Sequence, residues 1–336
     1  MVIDRTIAPV TEKNRKTSIE DMPVDRDRSK MPNRHHEFKR AIVSQNSWQS
    51  KLRPYLFIAP LVILSGVFIY YCIGFTAVTS FTDWDGISRQ MNFVGLKNYV
   101  KLLTPGSVFW IAMKNNLIFM VVTVFAQAVL GLLIAVILKE RLPGSNLFKA
   151  VFFMPIAMAP VIIAAIFRII MDPNIGAINE ALRSFHLGFM TRSWLGDPDV
   201  ALYSICAINI FEWMGFSMIV YYAGLLSIPD EIYEAAKIDG CGFWNTLFRI
   251  TIPNLSGTTN TLILLGIAGS LKTFDIVIQT TGGGPGRSTE FLNTYLYKAG
   301  VQEFNGGLSA AIGVMILLIA IILSLIQLAV NKRANN

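Results

Sequence analysis

The sequence predicts an all-α, polytopic membrane protein that crosses the bilayer about six times. Three observations predict it. Of 336 residues, 53% are hydrophobic and only 15% are charged, where a soluble domain carries about 25% charge. Mean hydropathy is +0.50. The apolar residues gather into about six stretches near the twenty residues a spanning helix needs. None of these stretches shows the period-two alternation of a barrel strand. In lipid only helices and closed barrels satisfy their own backbone, so helices are expected throughout.

Residues 1–50 are polar, mixed in charge and poor in large apolar groups. They cannot bury enough surface to offset chain entropy and are expected to be a disordered basic tail. The first apolar run begins too late for a cleavable leader, so the first span is expected to be the targeting signal itself. Much of the net charge of +7 lies in the first fifty-odd residues, with Lys13, Arg15, Lys16, Arg34, Lys39, Arg40, Lys51 and Arg53. Lys and Arg beside a first span fix that end in the cytoplasm. This topology signal accounts for the charge without a nucleic-acid partner.

The membrane body is expected over 51–333, with spans near 55–81, 111–138, 147–171, 200–226, 261–280 and 308–330. An even number of spans puts both termini in the cytoplasm. Lys139 and Arg141 mark an inner loop after the second span, and Lys332 and Arg333 follow the sixth. Outer connections carry Asp83, Asp85, Asp172, Asp197, Asp199, Glu290 and Glu303. They also carry Lys and Arg, which dilutes the inside-positive pattern. Cys72 and Cys206 lie in apolar runs and Cys241 in a polar connection, as small fillers rather than a disulfide framework.

Polar groups inside spans are costly and mark function. The fourth span carries Glu212, beside Trp213 and following Asn209, and the fifth carries Lys272 and Asp275. Lys272 and Asp275, three apart, are expected to share a helix face and pair. Lys114 and Arg168 lie near span ends and can snorkel. No nucleophile–base pair and no metal-ligand spacing stands out, so no catalytic residue, metal or cofactor is expected.

Thr281-Gly282-Gly283-Gly284-Pro285-Gly286-Arg287-Ser288 imitates a phosphate loop. However, Thr281 replaces the first glycine, Arg287 replaces the lysine, and Pro285 removes a backbone donor. A tight outer turn is the better reading.

The long inner connection, 227–260, is the most informative segment. Ser227 and Pro229 suit a helix start, and Asp230 and Glu231 complement the helix dipole. Gly240 suits the left-handed residue that ends a helix. A second amphipathic stretch follows from Phe243 until Pro253 interrupts it. Ala235 and Ala236 would let another backbone come close, with Glu234 and Asp239 as acceptors at either end. On these grounds alone an ordinary membrane-surface connector fits equally well.

Glu234-Ala235-Ala236, Asp239-Gly240, then Phe248, Ile250, Ile252 and Pro253 resemble the cytoplasmic EAA loop of binding-protein-dependent ABC transporter permeases. Phe93-Val94-Gly95-Leu96-Lys97-Asn98-Tyr99, Lys114-Asn115-Asn116-Leu117 and Gly282-Gly283-Gly284-Pro285 resemble the six-span sugar and glycerol-phosphate branch, related to the maltose permease. Cys241 departs mildly from the usual alanine.

The resemblance implies a type I ABC importer permease fold in the cytoplasmic (inner) membrane. It implies a coupling helix docked in a groove of a separate ATPase, with Glu234, Ala235, Ala236, Asp239, Gly240 and Pro253 as coupling residues. The implied partners are membrane lipid, a second permease in a heterodimer, two ATP-binding cassette subunits that bind the ATP, and an extracytoplasmic solute-binding protein. Alignment with the maltose permease puts Asn209, Trp213, Ser270 and Thr273 near its sugar site. The rival readings are an ion-coupled secondary carrier relaying through Glu212, Lys272 and Asp275, an ABC importer of a non-carbohydrate solute, and a membrane scaffold.

Overall fold

The computed structural model describes residues 48–140 and 144–334. The expected N-terminal tail therefore lies almost wholly outside the described residues. The chain divides into two units, Met1–Phe68 and Ile69–Asn336. The described part of the first is the opening of α1 (Trp48–Thr79), whose Phe57, Leu61 and Leu64 are exposed.

The second unit continues with α2 (Lys97–Leu103), α3 (Val108–Lys139), α4 (Ser145–Ala157), α5 (Pro160–Ile170), α6 (Ala177–Ser184) and α7 (Ala201–Leu226). Then come α8 (Asp230–Ile238), α9 (Ser256–Lys272), α10 (Asp275–Thr280), α11 (Leu292–Tyr297) and α12 (Gly306–Ala334). Two π-helical turns, Leu247–Thr251 and Lys298–Gln302, interrupt the connections. Among the described residues the only β pairing is an isolated bridge, Thr82 to Phe93.

Among the described residues four helices, in α1, α3, α7 and α12, are long and apolar enough to cross a membrane. Among the described residues, two of the six stretches expected as spans are interrupted. The stretch expected as the third span is the pair α4 and α5, bent by 99°. Proline disfavours helical geometry in the residue before it, and Met158 and Ala159, ahead of Pro160, are extended at ψ 147° and 136°. The stretch expected as the fifth span is also divided. It leaves the helix at Thr273 (ψ 122°) and Phe274 (φ −142°) and resumes at Asp275.

Close helix crossings organise the bundle. A Cβ on Gly131 of α3 would lie 2.7 Å from Ser217 Cβ of α7, and one on Gly215 would overlap the Phe152 carbonyl of α4. Small residues at such crossings let backbones approach in a membrane bundle. Among the described residues three apolar clusters result, and two of them flank the candidate site. One holds Phe119, Ile163, Ile205, Ile208, Ile276 and Phe291. The other holds Ala135, Leu138, Met218, Tyr221, Leu225, Leu255 and Leu262. Between these clusters α3 carries the polar residues Thr123 and Gln127, and α7 carries Asn209, Glu212 and Ser217.

The Phe93–Tyr99 motif has a local explanation. Gly95 takes φ 61°, and buried Asn98 donates to the carbonyls of Ser80 and Thr82 at 3.0 and 2.8 Å. Tyr99 shares a 2.7 Å hydrogen bond with the Ser80 hydroxyl. The motif therefore closes the turn that follows α1.

Candidate translocation cavity and coupling helix

Between the two apolar clusters lies a cavity of about 430 Å³, within the range of small-molecule sites. All seven polar and aromatic residues singled out in the spans line it: Asn209, Glu212 and Trp213 from α7, and Ser270, Lys272, Thr273 and Asp275 from around the α9–α10 break. Sequence reasoning missed Thr123 and Gln127 of α3, Phe216 and Ser217 of α7, and Phe274. Gln127 had a signal, since it is a lone amide in an apolar run. Its Nε2 donates to Asn209 Oδ1 at 3.0 Å and to the Asn209 carbonyl at 3.2 Å.

Both helix interruptions border this space, through Pro160 and through Thr273 and Phe274. Irregular backbone at membrane depth is tolerated where it lines a cavity. The break also corrects the expected Lys272–Asp275 pair: no such ion pair forms among the described residues. Lys272 ends α9 and Asp275 begins α10, so each side chain lies at the helix end whose dipole suits its charge.

The last carbonyls of α9 find partners from distant segments. Asn116 Nδ2 donates to the Ser270 carbonyl at 3.1 Å, and Asn293 Nδ2 donates to that of Leu271 at 2.7 Å. Asn116 Oδ1 in turn accepts the Leu292 N–H at 2.9 Å.

The lining has distinct chemistry. Trp213 offers a half-exposed flat ring, set edge-on to Phe216. Ser270 and Thr273 donate their hydroxyl hydrogens to the Ile267 and Gly269 carbonyls, which leaves the lone pairs of each oxygen as acceptors. Glu212 is only 3% exposed.

The glycine-rich turn follows α10. Gly282, Gly283 and Gly286 have positive φ, as does Arg287. Glu290 accepts from Lys298 Nζ and from the Thr294 hydroxyl, both at 2.6 Å, and its carbonyl accepts from Asn115 at 3.0 Å.

At the other end of α7, the Ser227 hydroxyl donates to the Gly224 carbonyl at 2.7 Å. It therefore closes α7 instead of capping α8. Pro229, extended at ψ 137°, leads into α8, with Asp230 and Glu231 in the first turn. Gly240 has φ 74°. The Cys241 N–H bonds the Ala236 carbonyl at 2.9 Å and the Gly240 N–H that of Lys237 at 3.1 Å. This is the paired Schellman pattern that glycine permits.

Glu234 and Ala235 are exposed on α8, Asp239 is exposed just past its end, and Pro253 is exposed beyond it. Ala236 differs from expectation. It is 4% exposed and seats the helix on its own chain, because it lies on the face one turn from Tyr233, which packs on the apolar cluster.

The chain matches the binding-protein-dependent transport system inner membrane component family over residues 100–336. It is 34% identical to a probable ABC transporter permease protein, YurN, of Bacillus subtilis, covering 84% of this chain and 97% of that one. It is 32% identical to the multiple sugar-binding transport system permease protein MsmF of Streptococcus mutans, covering 82% and 93%. It is 30% identical to the sn-glycerol-3-phosphate transport system permease protein UgpA of Agrobacterium fabrum, covering 85% and 97%. Its fold resembles a chain of a bacterial ABC transporter involved in alginate import, at a TM-score of 0.73 and 23% identity over 85% of this chain and 98% of that one. The chain thus belongs to the binding-protein-dependent transport system inner membrane components, as a multi-pass, non-enzymatic permease subunit of an ABC importer.

Proposed function

We propose that this permease carries a sugar or sugar-like solute through the cavity between α3, α7 and the α9–α10 break. The observation that carries the reading is the lining. A flat indole stands beside amide, hydroxyl and carboxylate groups, the combination that a polyhydroxylated ring with apolar faces requires. The relatives named for sugar and glycerol-3-phosphate transport support it. Family membership sets aside the ion-coupled secondary carrier.

In this reading both termini and the 227–260 connection are cytoplasmic. The chain pairs with a second, similar permease and two ATPase subunits. Closure of the ATPases presses on α8 through Glu234, Ala235 and Asp239, with Gly240 setting its exit and Pro253 shaping the return to α9. The spans then rock toward the outside, where a binding protein delivers the solute.

The test is uptake by the full complex reconstituted in vesicles, driven by ATP and a loaded binding protein. Trp213→Ala should raise the apparent KM for solute about tenfold or more, as expected for losing an aromatic contact of about 1.5 kcal/mol. Complex assembly should be unchanged. Unaltered uptake in single alanine variants of Asn209, Trp213, Ser270 and Thr273 would remove the cavity assignment while leaving the permease identity intact.

A further inference from the structure

We propose that Lys139 and Tyr233 form the contact that passes motion of α8 into α3, and along α3 to the cavity wall at Gln127. Both are positioning residues, and the proposal rests on α8 being the helix that meets the ATPase. Lys139 is the last residue of α3. Its ammonium nitrogen lies 3.7 Å from the centroid of the Tyr233 ring. That nitrogen is hidden from solvent and has no hydrogen-bond partner among the described residues. Its only ion-pair contact there is Asp230 at 3.9 Å, a carboxylate whose side chain is 85% exposed, and such surface pairs contribute little. The ring face is therefore the main partner of a desolvated cation, the setting in which a cation–π contact is strongest.

The two ends of this contact belong to different moving parts. Tyr233 is on the inner face of α8, one residue before exposed Glu234. Its hydroxyl makes only a long contact, 3.4 Å, with the Thr251 hydroxyl, so the ring matters more than the oxygen. On the other side, α3 is one unbroken helix of 32 residues. Twelve residues, or about 18 Å, separate Lys139 from Gln127. Gln127 holds Asn209 through its Nε2, and both line the cavity. A continuous helix behaves as a strut, so displacement of its cytoplasmic end reaches the cavity without passing through a loop.

The experiment uses the complete complex with Lys139→Met, Tyr233→Leu, their double variant, and the conservative Lys139→Arg and Tyr233→Phe. Glu234→Lys serves as the docking control. Two quantities are read: ATPase subunit retained on purification, and stimulation of ATP hydrolysis and uptake by solute-loaded binding protein.

Lys139→Met and Tyr233→Leu should each retain the ATPase subunit and basal hydrolysis. Stimulated uptake should fall about 2- to 30-fold, the span of a cation–π contact from exposed to desolvated. The double variant should be no worse than the worse single variant, and the conservative pair should stay near wild type. Unchanged stimulation in both apolar variants would overturn the proposal. So would additive losses, an equal loss in Tyr233→Phe, or loss of the ATPase subunit from Lys139→Met. If Glu234→Lys retains the subunit and full coupling, the docking role of α8 fails instead.

Discussion

Gly131 offers a direct measure of how tightly α3 and α7 are joined. A Cβ there would meet Ser217 Cβ at 2.7 Å, and the Met218 nitrogen and Ser217 carbonyl carbon at 2.9 Å. Ordinary carbon contacts lie at about 3.5–4.0 Å, so the helices must separate by about 1 Å. Two of the three obstructing atoms are backbone, which cannot rotate away. Overpacking of this kind costs about 1–3 kcal/mol. Against it, replacing a mid-helix glycine with alanine gains about 1 kcal/mol of helix propensity. Gly131→Ala should therefore lose only about 0–2 kcal/mol net. Gly131→Val adds two methyl groups and recovers less propensity, so it should lose about 2 kcal/mol or more.

The separation would also reach the cavity. Gln127 is one helical turn from Gly131, and its two bonds to Asn209, at 3.0 and 3.2 Å, cannot stretch by 1 Å and persist. The assay pairs the denaturation midpoint of the purified complex with solute uptake. Ser217→Gly removes one obstructing atom and should restore part of both quantities in Gly131→Ala. Wild-type stability and uptake in Gly131→Val would refute the claim that this crossing is close-packed.

Other outcomes are expected. Gly240→Val should leave the chain inserted, because insertion depends on apolar length, but should misaim α8, since a β-branched residue is strongly disfavoured at φ 74°; blotting of membranes alongside an ATPase-subunit pull-down checks this. Glu234→Lys should weaken that docking by about 1–3 kcal/mol, as for a charge-assisted bond, measured as lost subunit at normal membrane abundance. Asp83 is held below the ordinary carboxylate range first by the Asn92 side chain and then by its backbone N–H. A depressed carboxyl stabilises above its unfolded value of about 4 and ceases to as pH falls through the folded one. The 83–92 turn should accordingly stay protected from hydrogen exchange near pH 6 and open toward pH 3, whereas Asp83→Asn should be open at both.

Much of this architecture was legible because membrane helices announce themselves by apolar length, and because the start and stop of α8 are written in local chemistry at Pro229, Asp230 and Gly240. The cavity residues of α7 were legible for a related reason: Asn209 and Glu212 are conspicuous among apolar neighbours. The divided fifth stretch was not. No glycine or proline marks Thr273 and Phe274, and the groups that satisfy the freed carbonyls, Asn116 and Asn293, lie elsewhere in the sequence. Lys272 and Asp275 thus read as neighbours on one helix. The α4–α5 bend was signalled by Pro160, but uninterrupted hydropathy masked it. Ala236 was misplaced because a small residue suits a buried seat as well as an outer docking face.

The asparagine partners of the α9 end have a mechanical consequence. Straightening α9 into α10 would require the Ser270 and Leu271 carbonyls to exchange the Asn116 and Asn293 amides for intrahelical N–H groups. It would leave the buried Asn116 amide and the part-buried Asn293 amide without the carbonyls they now hold. The gap at Thr273 and Phe274 is consequently a locked elbow rather than a loose one. Its angle is set by two side chains that also anchor the segment after the glycine-rich turn. When the bundle rocks, the elbow and that segment should travel as a single bracket, carrying Lys272, Thr273 and Asp275 past the opposite wall without changing their mutual spacing.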